Sequence, residues 1–268
     1  MAKLVVLGAG RMGTALAAGL QRSGWAQAGD LVVVDPREEA RLRLAERYPD
    51  LQVTDRAPAA TSLIVAVKPK DVATACQQVP RHGYERVLSV VAGTPLATLE
   101  RWFWPGLPVL RAMPNTPALV GAGATAIAAG THAGEQDLAW AEDVLSAIGV
   151  VVRLSEELLD VATGLSGSGP AYVFLVAEAL VEAGVHGGLD REVAGVLAVQ
   201  TLLGAARMLA ESGESAEALR AAVTSPGGTT AAGLRALEDR AVRAAFIAAV
   251  DAATARSRAI GRAGTGTE

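Results

Sequence analysis

The chain has 268 residues, 51% apolar and 19% charged, enough to bury a substantial core and too apolar for an intrinsically disordered segment. A formal net charge of -4 and a sequence pI near 5.5 leave no basic field for nucleic acid. A lone cysteine, Cys76, excludes an internal disulfide or a cysteine-based zinc site and fits a reducing cytoplasm.

The opening "MAKLVVLGAG" places a lysine before apolar residues, as signal peptides do. Its apolar run ends after roughly seven residues at glycines and Arg11, so it reads as a buried first strand. No segment holds the roughly 18 uninterrupted apolar residues of a membrane helix, so no membrane partner is expected. "KLVVLG" (3–8) and "DLVVVD" (30–35) flank a helical "GRMGTALAAGLQRSG", which makes a strand–helix–strand unit. Buried-strand patterns follow at "SLIVAV" (62–67), "RVLSVV" (86–91), "PVLRAM" (108–113), "ATAIAA" (124–129) and "VVVRL" (150–154). These predict an α/β domain over residues 1–154, built on a Rossmann-like, doubly wound parallel sheet. From about Ser155 the pattern turns helical, at 170–185, 191–212 and 230–260, with apolar residues on several faces. That predicts an all-α dimerisation domain over residues 155–268.

"GAGRMG" is a G-x-G-x-x-G run closing the first strand and opening a helix. Gly8 permits the turn, Gly10 lets a pyrophosphate approach the backbone, and Gly13 allows close helix packing. Asp35, ending the second strand, suits a ribose 2′-hydroxyl and NADH, whereas Arg37 suits the 2′-phosphate of NADPH. "VAVKPK" (65–70) holds Lys68 and Lys70, two of only three lysines, at a strand end that should face the cofactor. "SVVAG" (89–93) and "RAMPNTP" (111–117) end the next strands, where Asn115 and Thr116 are candidates to bond substrate or nicotinamide. In "LSGSGPAY" (165–172), Pro170 suits a helix start capped by Ser168 or Gly169. "AVTSPGGTTAAGL" (222–234) breaks a helical region with Gly227, Gly228, Thr229 and Thr230, converging donors at a fresh helix start that suit a carboxylate. His82, His132 and His186 are isolated, and no general base is evident. A nicotinamide site without one points to an acceptor already electrophilic, such as a protonated imine.

Together "GAGRMG", "VAVKP", "RAMPNTP", "GLSGSGPAY" and "AVTSPGGTTAAGLRALE" closely resemble the pyrroline-5-carboxylate reductase family from Lys3 to about Gly261. The resemblance implies hydride transfer from NADPH or NADH to 1-pyrroline-5-carboxylate, giving L-proline. It implies a Rossmann domain, a helical domain interlocking with a second subunit, and in some relatives rings of dimers. By position, Leu7, Gly8, Ala9, Gly10, Arg11 and Met12 would hold the pyrophosphate, with Gly13 behind them. Ala66, Val67, Lys68 and Pro69 would line the nicotinamide side, and Val90, Val91 and Ala92 would pass close to it. Ser225, Gly227, Gly228, Thr229 and Thr230 would take the substrate, Thr230 bonding the ring nitrogen; Thr230 and Lys68 are the candidate catalytic residues. Two other readings stand beside this one. A 3-hydroxyisobutyrate or 6-phosphogluconate type dehydrogenase would need a lysine in its helical half, and none follows Lys70. A dinucleotide sensor without turnover would bind cofactor alone.

Overall fold

The protein is described here by a computed structural model covering residues 2–27, 29–81 and 83–264. Eight strands form one sheet: β1 (Ala2–Leu7), β2 (Leu31–Val34), β3 (Gln52–Thr54), β4 (Ala60–Val65), β5 (Arg86–Ser89), β6 (Val109–Met113), β7 (Gly123–Ala129) and β8 (Gly149–Arg153). Their order is 3-2-1-4-5-6-7-8. The helices that accompany the sheet are α1 (Arg11–Arg22), α2 (Glu38–Arg47), α3 (Val72–Gln77), α4 (Leu96–Trp102) and α5 (Glu135–Ser146). After β8 come the short α6 (Leu159–Ala162) and a π turn over Thr163–Gly167. The long helical part comprises α7 (Gly169–His186), α8 (Arg191–Glu211), α9 (Ala216–Ala222), α10 (Thr229–Asp239) and α11 (Val242–Gly264).

Alternation along the strands explains why the sheet is covered on both sides. Leu4 and Val6 of β1 join Leu16, Leu20, Ile64, Leu88 and Leu145 in one core. Val5 and Leu7 turn the other way, toward Leu63, Val87, Leu99 and Leu159. A strand buried on both faces needs branched apolar residues at successive positions, as these strands have.

Three departures from the sequence expectation have physical causes. The three-residue β3 was not foreseen: one of its residues is exposed and two are half-buried, so it carries no apolar run. The sheet is not wholly parallel, because β7 runs antiparallel to β6. Only residues 114–122 connect them, fewer than the dozen or so a parallel crossover needs. The helical run at 230–260 is broken between α10 and α11, where Ala241 takes a left-handed φ of 54°. In addition, Pro170 does not open a separately capped helix, since the π turn leads straight into α7.

The chain divides into two compact units. One comprises the residues up to Ser168 with those from Asp251 onward; the other is Gly169–Val250. The second unit lacks a core of its own: its only buried apolar residues are Ala194 and Ala198, while Phe174, Leu175 and Val196 are each more than 60% exposed. By length and composition, Glu156–His186 and Arg191–Glu211 are apolar enough to cross a membrane. The expectation of no such segment counted uninterrupted apolar runs, and these helices carry a few charges among their apolar residues.

Gly149 opens β8 with a φ of +148°, and a Cβ there would sit 2.0 Å from the Gly123 carbonyl oxygen. Gly149→Ala is expected to cost at least about 2 kcal/mol. Gly106→Ala, at φ +84° in open space, costs about 1 kcal/mol. Urea midpoints at constant slope check the ranking, and equal losses would contradict it.

Candidate active site

The sheet order reverses direction between β1 and β4, and in open α/β sheets the ligand crevice lies at the carboxyl ends of the strands beside such a reversal. In register, Leu7 lies beside Val34 and Val65, and Val65 lies beside Ser89. The segments leaving β1, β2, β4 and β5 therefore emerge abreast. Gly8 has a φ of +105°, and a Cβ there would come 2.7 Å from the Ala66 carbonyl oxygen. Only glycine brings the first loop this close to the end of β4. Gly13 is equally constrained from behind, since its Cβ would fall 1.9 Å from the Gly8 carbonyl oxygen. Gly10 differs: nothing lies within 4 Å of its Cβ position. The space in front of Gly10 is open, as a pyrophosphate cradle requires.

Gly10 is the N-cap of α1 in extended conformation, with φ -79° and ψ -174°, no side-chain cap and no acid in the first turn. The amides of Arg11, Met12 and Gly13 are thus left to a ligand or to water. In the second unit Gly228 caps α10 in almost the same way, with φ -78°, ψ 174°, no side-chain cap and no acid in the first turn. The contrast is α5, whose glycine N-cap Gly134 donates its N–H to Asp137 Oδ2 at 2.9 Å. Of these three glycine-started helices, only α5 closes its start with its own carboxylate.

Asp35 is 2% exposed, and both its oxygens are occupied. Oδ2 accepts from the Ala9 N–H (3.0 Å) and from Arg37 (2.8 Å). Oδ1 accepts from the N–H of Arg37 (3.0 Å) and from its Nε (2.9 Å). Burial pushes this carboxyl upward, but the Arg37 guanidinium and the backbone N–H groups of Arg37 and Ala9 outweigh it and hold the group below its ordinary value. Arg41 donates to the carbonyls of Asp35 and Pro36, each at 2.9 Å. So Asp35 fastens the glycine loop, while the Arg37 side chain remains 61% exposed over the turn.

Ala66 and Val67 are half-buried after β4; Lys68 and Pro69 are exposed, Lys68 in extended backbone before a short 3-10 turn. Val90 and Val91 are buried and Ala92 is exposed after β5. Asn115, after β6, bonds within the protein. Its Oδ1 accepts from the Ala124 N–H (2.9 Å) and its Nδ2 donates to the Ser166 carbonyl (3.0 Å), so both ends of its amide bond within the protein. Ser225, Gly227, Gly228, Thr229 and Thr230 belong to the second unit. There the Gly228 N–H donates to the Ser225 carbonyl at 3.0 Å, with Pro226 and the positive-φ Gly227 (68°) between them, the pattern of a type II turn. A Cβ on Gly228 would meet Ser225 Oγ at 2.3 Å. His82 lies outside the described residues.

Sequence reading passed over Arg41 and Glu156. Glu156 Oε1 accepts from the Leu96 N–H (2.7 Å) and from the buried Arg111 (3.0 Å). An arginine inside the apolar run "PVLRAM" was the available signal for a buried partner.

A family model described as pyrroline-5-carboxylate reductase dimerisation matches residues 156–260, and one described as NADP oxidoreductase, coenzyme F420-dependent, matches residues 3–93. A pyrroline-5-carboxylate reductase from Mycobacterium tuberculosis is 46% identical over 96% of each chain. One from Corynebacterium melassecola is 38% identical over 98% of this chain and the whole of its own. Among solved structures, the pyrroline-5-carboxylate reductase from Coxiella burnetii superposes with a TM-score of 0.89 at 33% identity, covering 97% of this chain and 98% of that one. The Plasmodium falciparum pyrroline carboxylate reductase with NADP bound gives 0.81 at 28% identity, with the same coverage.

Because the native pKa of Asp35 is depressed, its stabilising contribution is complete above the unfolded value of about 3.9 and is lost as pH falls through the folded value. Asp35→Asn is expected to lose roughly 1–3 kcal/mol at pH 7, with the gap to wild type narrowing below about pH 4. Urea midpoints at pH 7, 5 and 3.5 test this, and a gap constant with pH would rule out the charge as the cause.

Proposed function

The chain belongs to the pyrroline-5-carboxylate reductase family, and from that premise we propose how its residues divide the reaction. It is an NAD(P)H-dependent oxidoreductase that reduces the C=N bond of 1-pyrroline-5-carboxylate to L-proline, the last step of proline biosynthesis. The observation that carries the division is the pair of open glycine-capped helix starts, Gly10 and Gly228, one in each unit. We assign dinucleotide binding to residues 1–154, and substrate binding and dimerisation to residues 155–268.

The residues present fit the cofactor, on the open space at Gly10 and the unclaimed amides of α1. When bound, the reduced nicotinamide supplies a hydride. Leu7 to Met12 would cradle the pyrophosphate, the amides of Arg11 and Met12 donating to it, with Gly13 keeping α1 close. Ala66 to Pro69 and Val90 to Ala92 would flank the nicotinamide, where Lys68 would add a positive charge. Ser225, Gly227, Gly228, Thr229 and Thr230 hold the substrate, its carboxylate on amides at the positive end of α10. The Thr230 hydroxyl bonds the ring nitrogen. A protonated imine needs only hydride at carbon, since the nitrogen already carries the proton that the product amine keeps. That accounts for a site with no histidine base.

For the coenzyme, the geometry favours NADPH. The Asp35 carboxylate is saturated by Ala9 and Arg37 and has no face left for a 2′-hydroxyl. The exposed Arg37 is available to a 2′-phosphate, with Arg41 beside it on the same turn.

The dimerisation match supports a homo-oligomer. We propose the homodimer as its unit, with rings of dimers the larger assembly, because the second unit buries only Ala194 and Ala198 among its apolar residues. A second subunit, rather than lipid, would cover its exposed faces. A cytoplasmic location fits the single cysteine, Cys76, whose thiol burial pushes up to about 12.

Loss of NADPH absorbance on adding 1-pyrroline-5-carboxylate tests the reaction, and cofactor binding without turnover would indicate a sensor instead. Thr230→Ala is expected to lower kcat/KM roughly ten- to hundredfold, the worth of one hydrogen bond to a charged group. Full activity in that variant would remove Thr230 from the site. Arg37→Gln is expected to weaken NADPH about tenfold or more without weakening NADH, read by nucleotide fluorescence titration. Equal weakening of both would refute the 2′-phosphate assignment.

A further inference from the structure

The Ser166 carbonyl has an unusual history in this helix. In α-helical register it would accept from the N–H four residues on, but residue 170 is proline and has none. The helix here is widened instead into the π turn, with the Ser168 N–H donating to the Thr163 carbonyl at 2.8 Å. Ser166 Oγ takes up the Ala162 carbonyl (2.9 Å) and Thr163 Oγ1 the Leu159 carbonyl (2.8 Å). The donor for Ser166 comes from 51 residues away in sequence: Asn115 Nδ2, at 3.0 Å. Its own Oδ1 is fixed by the Ala124 N–H, so the amide cannot turn without breaking both bonds. The tail of β6 touches the turn a second time, as a Cβ on Gly167 would lie 2.9 Å from Met113 Cε. Asn115 is 9% exposed and Ser166 is half-buried, so the bond is partly shielded from water and losing its donor is costly.

We propose that Asn115 is a positioning residue for the reduction, not a cofactor ligand. It supplies the N–H that Pro170 lacks and holds the π turn over Thr163–Gly167, the last turn before the helices that carry the proposed substrate loop. This rests on the assignment of Ser225 to Thr230 to the substrate. It makes "RAMPNTP" and "GLSGSGPAY" two halves of one hydrogen-bonded device. π turns recur at functional positions, and this one is held open by a specific side chain.

The test is a double-mutant cycle in the full-length enzyme. Asn115→Ala removes the donor, and Asn115→Asp removes the donor while keeping an acceptor for Ala124. Both are expected to lower kcat about tenfold with NADPH affinity, read by fluorescence titration, within about twofold of wild type. Pro170→Ala returns an N–H at position 170 and is expected to stay near wild type alone. Combined with Asn115→Ala it should recover at least about fivefold of the lost kcat, which a merely structural loss would not do. Should Asn115→Ala fail to fold, the thermal midpoint and kcat of Asn115→Asp with and without Pro170→Ala read the same coupling. NADPH affinity falling in step with kcat, or losses that multiply in the double variant, would overturn the proposal. Failure of wild type to reduce pyrroline-5-carboxylate while binding NADPH would instead overturn the substrate assignment.

Discussion

The cofactor edge depends on one buried carboxylate. Asp35 joins the end of β2 to the glycine loop through the Ala9 N–H, and its charge is met by Arg37 from two residues away. The cost of burying a carboxylate is offset only because four donors converge on it. With Ala9 held, Gly8 lies against Ala66 and Gly13 against Gly8, which leaves Gly10 the one glycine of the three facing open space. Loop, strand end and helix start are thereby set in one geometry before any ligand arrives, so little ordering is left for binding to accomplish.

The same economy appears at the proposed substrate loop. A serine or aspartate N-cap would serve the first amides of α10 with its own side chain and stabilise the helix by up to about 1 kcal/mol. Glycine at position 228 forgoes this, and the first turn lacks the acid that closes α5 at Gly134. Both open starts trade a little helix stability for donors left facing outward. An anion is what such donors accept, which is why we assign a pyrophosphate to one and a small carboxylate to the other.

Much of this was legible in the sequence, and what was not had identifiable reasons. β1, β2, β4 and β5 stand out because strands buried on both faces must be apolar at successive positions, and the glycine fingerprint is readable because each glycine answers a different steric demand. The antiparallel β7 left no mark on composition, since burial looks alike in either direction; only the short connection from Met113 to Gly123 gave it away. The break at Ala241 is invisible because alanine is the best helix former. Asp35 was read as a ribose acceptor by analogy with other fingerprints, and its saturation by Ala9 and Arg37 is a tertiary fact. Asn115 was read as a ligand because polar residues at strand ends usually are. Its partner within the chain, the Ser166 carbonyl four residues before Pro170, can be suspected only by asking where every backbone group finds its bond.

That question also separates the two kinds of incompleteness in this chain. At Ser166 the missing donor is replaced from within, by Asn115, so the fold is closed there. In Gly169–Val250 apolar surface on Phe174, Leu175, Val196 and Ile247 has no cover within the unit. At roughly 25 cal/mol per Å² of apolar area, several side chains of this size leave many kcal/mol unrealised in an isolated chain. No rearrangement of these helices, with two buried alanines among their apolar residues, recovers that energy. A second copy does, and a family whose model is defined by dimerisation over residues 156–260 is the setting in which such a unit is stable. The proposed substrate loop lies in this unit, whose exposed apolar faces association would cover.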